Sequence, residues 1–106
     1  TNLVLMEYMA CGKPAIASFS SGHRDFLTAA TSIPLRHGQP IAFQEGNETV
    51  AVWDEPNLDE VIATLEFAYS NRDRLRPLAE QAGGDLQGFT WRHTAERFLE
   101  LLQPAN

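Results

Sequence analysis

The chain has 106 residues, of which 43% are hydrophobic, enough to build the core of one domain. Fourteen acidic against eight basic residues give a formal charge of -6, which disfavours binding to nucleic acid and to an anionic membrane surface. Its single cysteine, Cys11, excludes an internal disulfide, and no metal-ligand spacing is present. We therefore expect a cytoplasmic chain without metal. A basic patch on a further domain would leave membrane association of a full-length protein open.

The first elements predicted are a helix, a strand and a loop. Leu3 to Cys11 carries only one charge, Glu7, which predicts a helix that is apolar nearly all round and therefore buried, ended by Gly12. Pro14 to Ser18 is a short apolar run typical of a buried parallel strand, and a loop of small residues, Ser20 to Gly22, follows it. Because nothing resembling a strand precedes the first helix, we expect the chain to be a fragment of a larger fold.

The middle of the chain predicts short elements. Asp25 to Ala30 is expected to form a brief helix with Asp25 at its N-cap, and Ser32 to Leu35 a second short strand. Gln39 to Phe43 and Thr49 to Trp53 look extended around a polar turn, which predicts a hairpin or a pair of edge segments.

The last half of the chain predicts three helices. Asn57, with Glu60 three residues later, is a capping-box-like start for the first. Asn71 is expected to cap the second, which Gly83 and Gly84 would end. Together with the parallel strands these helices predict an α/β domain with Rossmann-like αβα layers. The third helix opens at Thr90, and its apolar stripe is Trp91, Ala95, Phe98, Leu99 and Leu102.

The start of the first helix is the strongest candidate for a binding site. Asn2 is a good N-cap, and the amides of Leu3 and Val4 are orphan donors at the positive end of the helix dipole, where an anion can bind. Glu7 lies about a turn and a half further along, and its carboxylate can accept from both hydroxyls of a ribose. A phosphate at the helix tip and a ribose at Glu7 describe a nucleotide. The alternative is that Glu7 pairs with an Arg in the core.

The loop after the first strand is expected to line the same crevice. Ligands of α/β sheets bind outside the carboxyl ends of parallel strands, where Ser20, Ser21, Gly22 and His23 would lie. Gly22 permits a ligand to approach the backbone closely. For His23 the sequence favours a ligand contact and a structural role equally. Cys11 is expected to pack at the helix end rather than act as a nucleophile.

The segment TNLVLMEYMACGKPAIA, followed by Gly22 and Asp25, resembles the signature of family 4 glycosyltransferases of the GT-B fold. Glu7 corresponds to the second glutamate of the paired-acid motif of that family. The resemblance implies that Glu7 binds the ribose of a nucleotide-sugar donor. It also implies that the backbone at Thr1, Asn2, Leu3 and Val4 meets the diphosphate or the sugar.

The resemblance implies that residues 1–106 are part of the C-terminal, donor-binding domain of a two-domain enzyme, lacking the N-terminal acceptor domain and the start of this one. Such enzymes transfer a sugar from a nucleoside diphosphate to a hydroxyl, with retention of configuration and without metal or cofactor. No catalytic residue is expected here, and this chain alone is expected to be inactive. Two departures are that the first acid of the motif would precede Thr1, and that Tyr8 and Asp25 replace the usual Ala and Glu. The alternatives are a non-catalytic α/β interaction module and a nucleotide-sugar epimerase that shares the donor pocket.

Overall fold

The computed structural model describes residues 2–103. Within them a mixed α/β arrangement is present, as predicted, in which a parallel strand pair lies against helices and an antiparallel hairpin stands apart. The elements are α1 (Leu3–Ala10), β1 (Ala15–Ser18), β2 (Ser32–Leu35), β3 (Gln39–Glu45), β4 (Glu48–Glu55), α2 (Leu58–Ser70), α3 (Arg76–Leu86) and α4 (Trp91–Leu102), with 3-10 turns at Ser21–Asp25 and Arg72–Leu75.

Helix α1 begins where the sequence predicts and ends one residue earlier, at Ala10. The side-chain oxygen of Asn2 accepts a hydrogen bond from the amide of Leu5 at 3.1 Å, which caps the helix. At the other end Gly12 has a φ of +67°, the left-handed conformation that glycine adopts at little cost. The chain then turns into β1, which is one residue shorter than predicted and pairs in parallel with β2.

The core is formed where α1 and α3 pack with the parallel strands and the segment that joins them. Register runs from Ala15 opposite Ser32 to Ser18 opposite Leu35. The buried hydrophobic residues of this cluster are Met9, Ala15, Phe26, Leu27, Ala82 and Leu86.

The helix predicted from Asp25 to Ala30 is wrong. A 3-10 turn ends at Asp25, which is therefore not an N-cap, and the chain then turns through Thr28 to Thr31. The hydroxyls of Thr28 and Thr31 bond to each other and to nearby backbone, and the amide and hydroxyl of Ser32 both donate to the carbonyl of Thr28. These side chains give the backbone groups the hydrogen-bond partners that a helix would otherwise supply, so the chain forms a turn here instead of a helix.

The hairpin prediction is confirmed, with strands longer than expected. Gly46, in the turn, has a φ of +62°, as tight hairpin turns require, and the register shifts at Phe43 and Gln44. The Phe43 and Trp53 rings stack at 5.8 Å between centroids, and each is about half exposed.

The three later helices are present, with two corrections. Asn71 does not cap a helix with its side chain, which instead donates to the carbonyl of Phe67. Gly83 and Gly84 do not end α3, which continues to Leu86. Asn57 and Thr90 cap α2 and α4 as predicted, accepting from the amides three residues later.

Much of the apolar surface is uncovered, contrary to the prediction that α1 is buried. Val4 is 76% exposed, and Met9 is the one fully buried residue of that helix. Cys11 is exposed rather than packed. Trp91 is 90% exposed, and the Phe98, Leu99 and Leu102 side chains of the α4 stripe are exposed as well. The radius of gyration is 17.4 Å, against about 13 Å for a compact domain of this length, because the hairpin and α4 make few contacts with the core.

Candidate functional site

The start of α1 and the carboxyl ends of the parallel strands define the candidate site. Met9 near the end of α1 and Ala15 at the start of β1 lie in one core cluster, joined by a short connection. A helix that packs on the strand it leads into runs antiparallel to that strand, so its N-terminus faces the strand's carboxyl end. Ligands of α/β sheets bind at this edge.

The tip of α1 offers backbone donors. Asn2 engages the amide of Leu5, and no residue among those described accepts from the amides of Leu3 and Val4. Both residues are exposed, so these donors at the positive end of the helix dipole face solvent. Thr1, the remaining residue assigned to this tip, lies outside the described residues.

Glu7 is exposed and makes no ion pair or side-chain hydrogen bond with any residue from 2 to 103. Within these residues Glu7 therefore does not pair with an Arg of the core, which was the alternative interpretation. Beside Glu7 lies an open hollow of about 370 Å³. Its walls are largely apolar and come from α1 (Leu3, Met6, Ala10), the end of α3 (Leu86) and the start of α4 (Phe89, Thr90, Trp91, Thr94).

Gly22 and His23 lie in the 3-10 turn after β1 and do not line the hollow beside Glu7. The Nδ1 atom of His23 is 2.9 Å from the carbonyl oxygen of Ser18, and its ring meets the Phe26 ring edge-on. Ser21 has a φ of +48°, an uncommon value for a residue with a Cβ. The histidine therefore holds the loop closed on the strand end, which leaves its Nε2 atom as the one available to a ligand.

Sequence reasoning missed the carboxylate of Glu60. Its two oxygens accept from the backbone amides of Arg36 and His37 at 2.9 Å each, and one lies 3.0 Å from the His37 ring nitrogen. These hydrogen bonds, chiefly those from the two amides, lower the pKa of Glu60 below its ordinary value of 4.5. Glu60 thereby fixes the backbone that leaves β2. The spacing from Asn57 signalled only the helix start, because the partner amides lie 23 and 24 residues away.

Sequence reasoning also assigned no role to two arginines at the strand ends. Arg24, in the turn after β1, and Arg36, directly after β2, both lie over the ring of Phe19. Their Cζ atoms are 5.7 Å and 4.2 Å from the ring centroid. The available signal was Arg36 directly after the second predicted strand and Arg24 in the loop that follows the first.

Neither a metal-binding cluster nor a membrane-spanning helix is found among residues 2–103. No group of three or more His, Cys, Asp or Glu side chains is arranged to hold a metal ion. No described helix combines the length and the hydropathy needed to cross a membrane.

Comparison with curated proteins returns glycosyltransferases. The chain is 29% identical over 103 residues to a D-inositol 3-phosphate glycosyltransferase of Rhodococcus erythropolis, which covers 97% of this chain and 20% of the relative. It is 33% identical over 98 residues to the protein of the same name in Nocardia farcinica, covering 92% and 18% respectively. The corresponding Rhodococcus jostii protein is 29% identical over 98 residues. No protein-family model and no solved structure matches the chain.

These matches confirm the resemblance on which the site was predicted. The chain is similar to a part of glycosyltransferases of the family 4, GT-B type. It spans about a fifth of the length of the curated relatives it matches.

Proposed function

We propose that this chain is the donor-binding part of a glycosyltransferase that transfers a sugar from a nucleoside diphosphate to an acceptor hydroxyl. The observation that carries the proposal is the environment of the Glu7 side chain. Its carboxylate has no partner among the described residues, borders an open hollow and lies about one helical turn from the exposed amides of Leu3 and Val4. The four glycosyltransferase relatives support the same reaction class.

The ribose and the diphosphate of the donor each have a matching group in this proposal. The two oxygens of Glu7 accept from the 2′ and 3′ hydroxyls of the ribose, which places two hydrogen bonds on a charged acceptor. The N-terminus of α1 meets the diphosphate. Negative charge grows on the diphosphate as the sugar departs, and helix amides that are already oriented stabilise that charge without reorganisation.

The remaining features of the reaction extend the same proposal to the natural full-length protein. Transfer proceeds with retention of anomeric configuration and without a metal, and another domain supplies the acceptor site. The anomeric configuration of the product, read by NMR, and unchanged activity in EDTA would support these features. Inversion, or loss of activity in EDTA that added metal restores, would contradict them.

The test of donor binding is a titration of the full-length protein with UDP, GDP and ADP. We expect one of them to bind at millimolar concentration or below, and Glu7→Gln to weaken that binding about tenfold or more, since hydrogen bonds to a charged group are lost. The matched control is Glu66→Gln, which neutralises an exposed glutamate of α2 with no partner among the described residues. It should change the affinity by less than about twofold.

A second ligand shows whether Glu7 acts through the ribose. The corresponding 2′-deoxynucleoside diphosphate should bind the parent protein more weakly than the ribonucleotide, and Glu7→Gln should remove most of that difference. If no nucleoside diphosphate binds at millimolar concentration, the chain is better described as a non-catalytic interaction module. If donor binds but the product is an epimerised nucleotide sugar, the transferase proposal is wrong.

A further inference from the structure

We propose that Arg24 and Arg36 form a second anion-binding site, for a single phosphate group, at the carboxyl ends of β1 and β2. Both guanidinium groups lie over the same Phe19 ring, so their Cζ atoms are separated by no more than the sum of their distances to its centroid, 5.7 Å and 4.2 Å. Both arginines also line one cavity at the edge of the parallel sheet, in a chain whose net charge is -6.

Neither arginine is neutralised by a carboxylate within the described residues, where no acidic oxygen lies within 4.0 Å of either side chain. Arg24 donates from Nε to the carbonyl of Phe19 at 3.4 Å, which leaves its two terminal nitrogens available. The Arg36 side chain makes no hydrogen bond to a described residue. Guanidinium groups with free terminal N–H groups are suited to bidentate binding of phosphate.

The backbone on both sides of this site is fixed. The amide of Phe19 donates to the carbonyl of Leu35 at 2.8 Å, which extends the strand pairing to the ring on which both arginines stack. Glu60 accepts from the amides of Arg36 and His37, which sets the direction of the chain at Arg36. The arginines therefore extend from a held frame, and less conformational entropy is lost on binding than from two mobile loops.

The cavity at the two arginines is small. Arg24 and Arg36 line a space of about 70 Å³ together with Ser18, Ser20, Gly38 and Asp54. A water molecule occupies roughly 30 Å³ of liquid, so the space has room for one small polar group such as a phosphate. The hydroxyls of Ser18 and Ser20 can donate to an anion. Asp54 opposes it, so the local charge is that of two cations and one anion.

The test uses inorganic phosphate, followed by NMR of the arginine Nε–H signals of the full-length protein. We expect the signals of Arg24 and Arg36 to shift together and to saturate at millimolar phosphate. Arg24→Gln and Arg36→Gln should each weaken phosphate binding about tenfold. Asp54→Asn should strengthen it several-fold, because it removes the one opposing charge of the cavity.

Arg72 is the matched control because it too stacks on an aromatic ring, with its Cζ 4.6 Å from the Tyr69 centroid, but away from the strand ends. Arg72→Gln should leave the phosphate affinity within about twofold. The inference is overturned if phosphate shifts no arginine signal up to about 50 mM, a concentration at which a site of this affinity would be filled. Equal shifts at Arg24, Arg36 and Arg72 would also overturn it, since they would indicate surface charge alone.

Nucleoside diphosphates distinguish the two sources of the phosphate. If Arg24→Gln and Arg36→Gln weaken the binding of UDP, GDP or ADP as well as of inorganic phosphate, the site takes a phosphate of the donor. If they weaken phosphate binding alone, the site takes a phosphate of another substrate. Inorganic phosphate has no ribose, so this result is independent of Glu7 and of whether the proposed function holds.

Discussion

Gly83 of α3 faces Gly12 at the end of α1 with no side chain between their backbones. A Cβ atom added at Gly83 would lie 3.3 Å from the Cα of Gly12 and 3.5 Å from its nitrogen. The contact with the Cα is tight for a Cβ atom, and the neighbour is backbone that cannot rotate away. The close approach of α1 and α3, which positions the helix that carries Glu7, therefore depends on the missing side chain.

Alanine substitutions at Gly83 and Gly84 should change stability in opposite directions. Gly84→Ala meets nothing within 4 Å and should raise the free energy of unfolding by about 0.5–1 kcal/mol, because alanine favours a helix interior over glycine. Gly83→Ala gains the same propensity but forces α1 and α3 apart, and we expect a net loss of about 1 kcal/mol. Urea unfolding of both variants measures the difference. Equal stabilisation by both would show that the two helices do not pack closely.

The same pair shows why part of the fold could be predicted from the sequence and part could not. The caps at Asn2, Asn57 and Thr90 were predicted because each bond joins residues three apart. Two adjacent glycines locally favour a helix end, so α3 was predicted to stop at Gly83. The contact with Gly12, 71 positions away, gives that glycine a different role, and nothing in its neighbourhood along the chain reports this contact.

The candidate site likewise has a part that could be predicted from the sequence and a part that could not. Asn2, Leu3, Val4 and Glu7 lie on one helix, so their relative placement follows from helical geometry, and the sequence motif singled them out. The bond between Glu60 and the chain at Arg36 joins α2 to the end of β2, which periodicity within either segment cannot report. The uncovered face of α1 was also missed, since an apolar sequence predicts burial but does not say which residues provide the cover.

Glu60 should make the free energy of unfolding depend on pH in the acidic range. Its folded-state pKa lies below the ordinary value of 4.5 because two amides and His37 bind the charged form. The unfolded chain therefore takes up the proton first as the pH falls. The stabilisation is fully present above about pH 4.5 and is lost as the pH drops through the folded-state pKa. Glu60→Gln should lower the unfolding midpoint in urea at pH 7 and flatten its decline between about pH 5 and pH 3.

Glu66→Gln provides the control for Glu60, because the exposed Glu66 side chain of α2 has no partner among the described residues. It should leave both the midpoint at pH 7 and the acid decline close to those of the parent. Amide hydrogen exchange at Arg36 and His37 gives a local readout, since both amides should exchange faster in Glu60→Gln. An unchanged exchange rate at these two amides would contradict the proposed role of Glu60 in fixing the end of β2.

Thr90 should decide how well α4 is formed, since this helix packs little against the rest of the described chain and a helix of 12 residues is marginal on its own. Its hydroxyl accepts from the amide of His93 at 3.1 Å, so Thr90→Ala should destabilise α4 by about 1 kcal/mol. Thr94→Ala removes the same atoms from the helix interior, where alanine is favoured, and should stabilise α4 by a few tenths of a kcal/mol. Hydrogen exchange across α4 measures both. Because Thr90 and Trp91 line the hollow beside Glu7, fraying at Thr90 should also loosen that wall. Equal protection from exchange in the two variants would show that the cap does not hold the start of the helix.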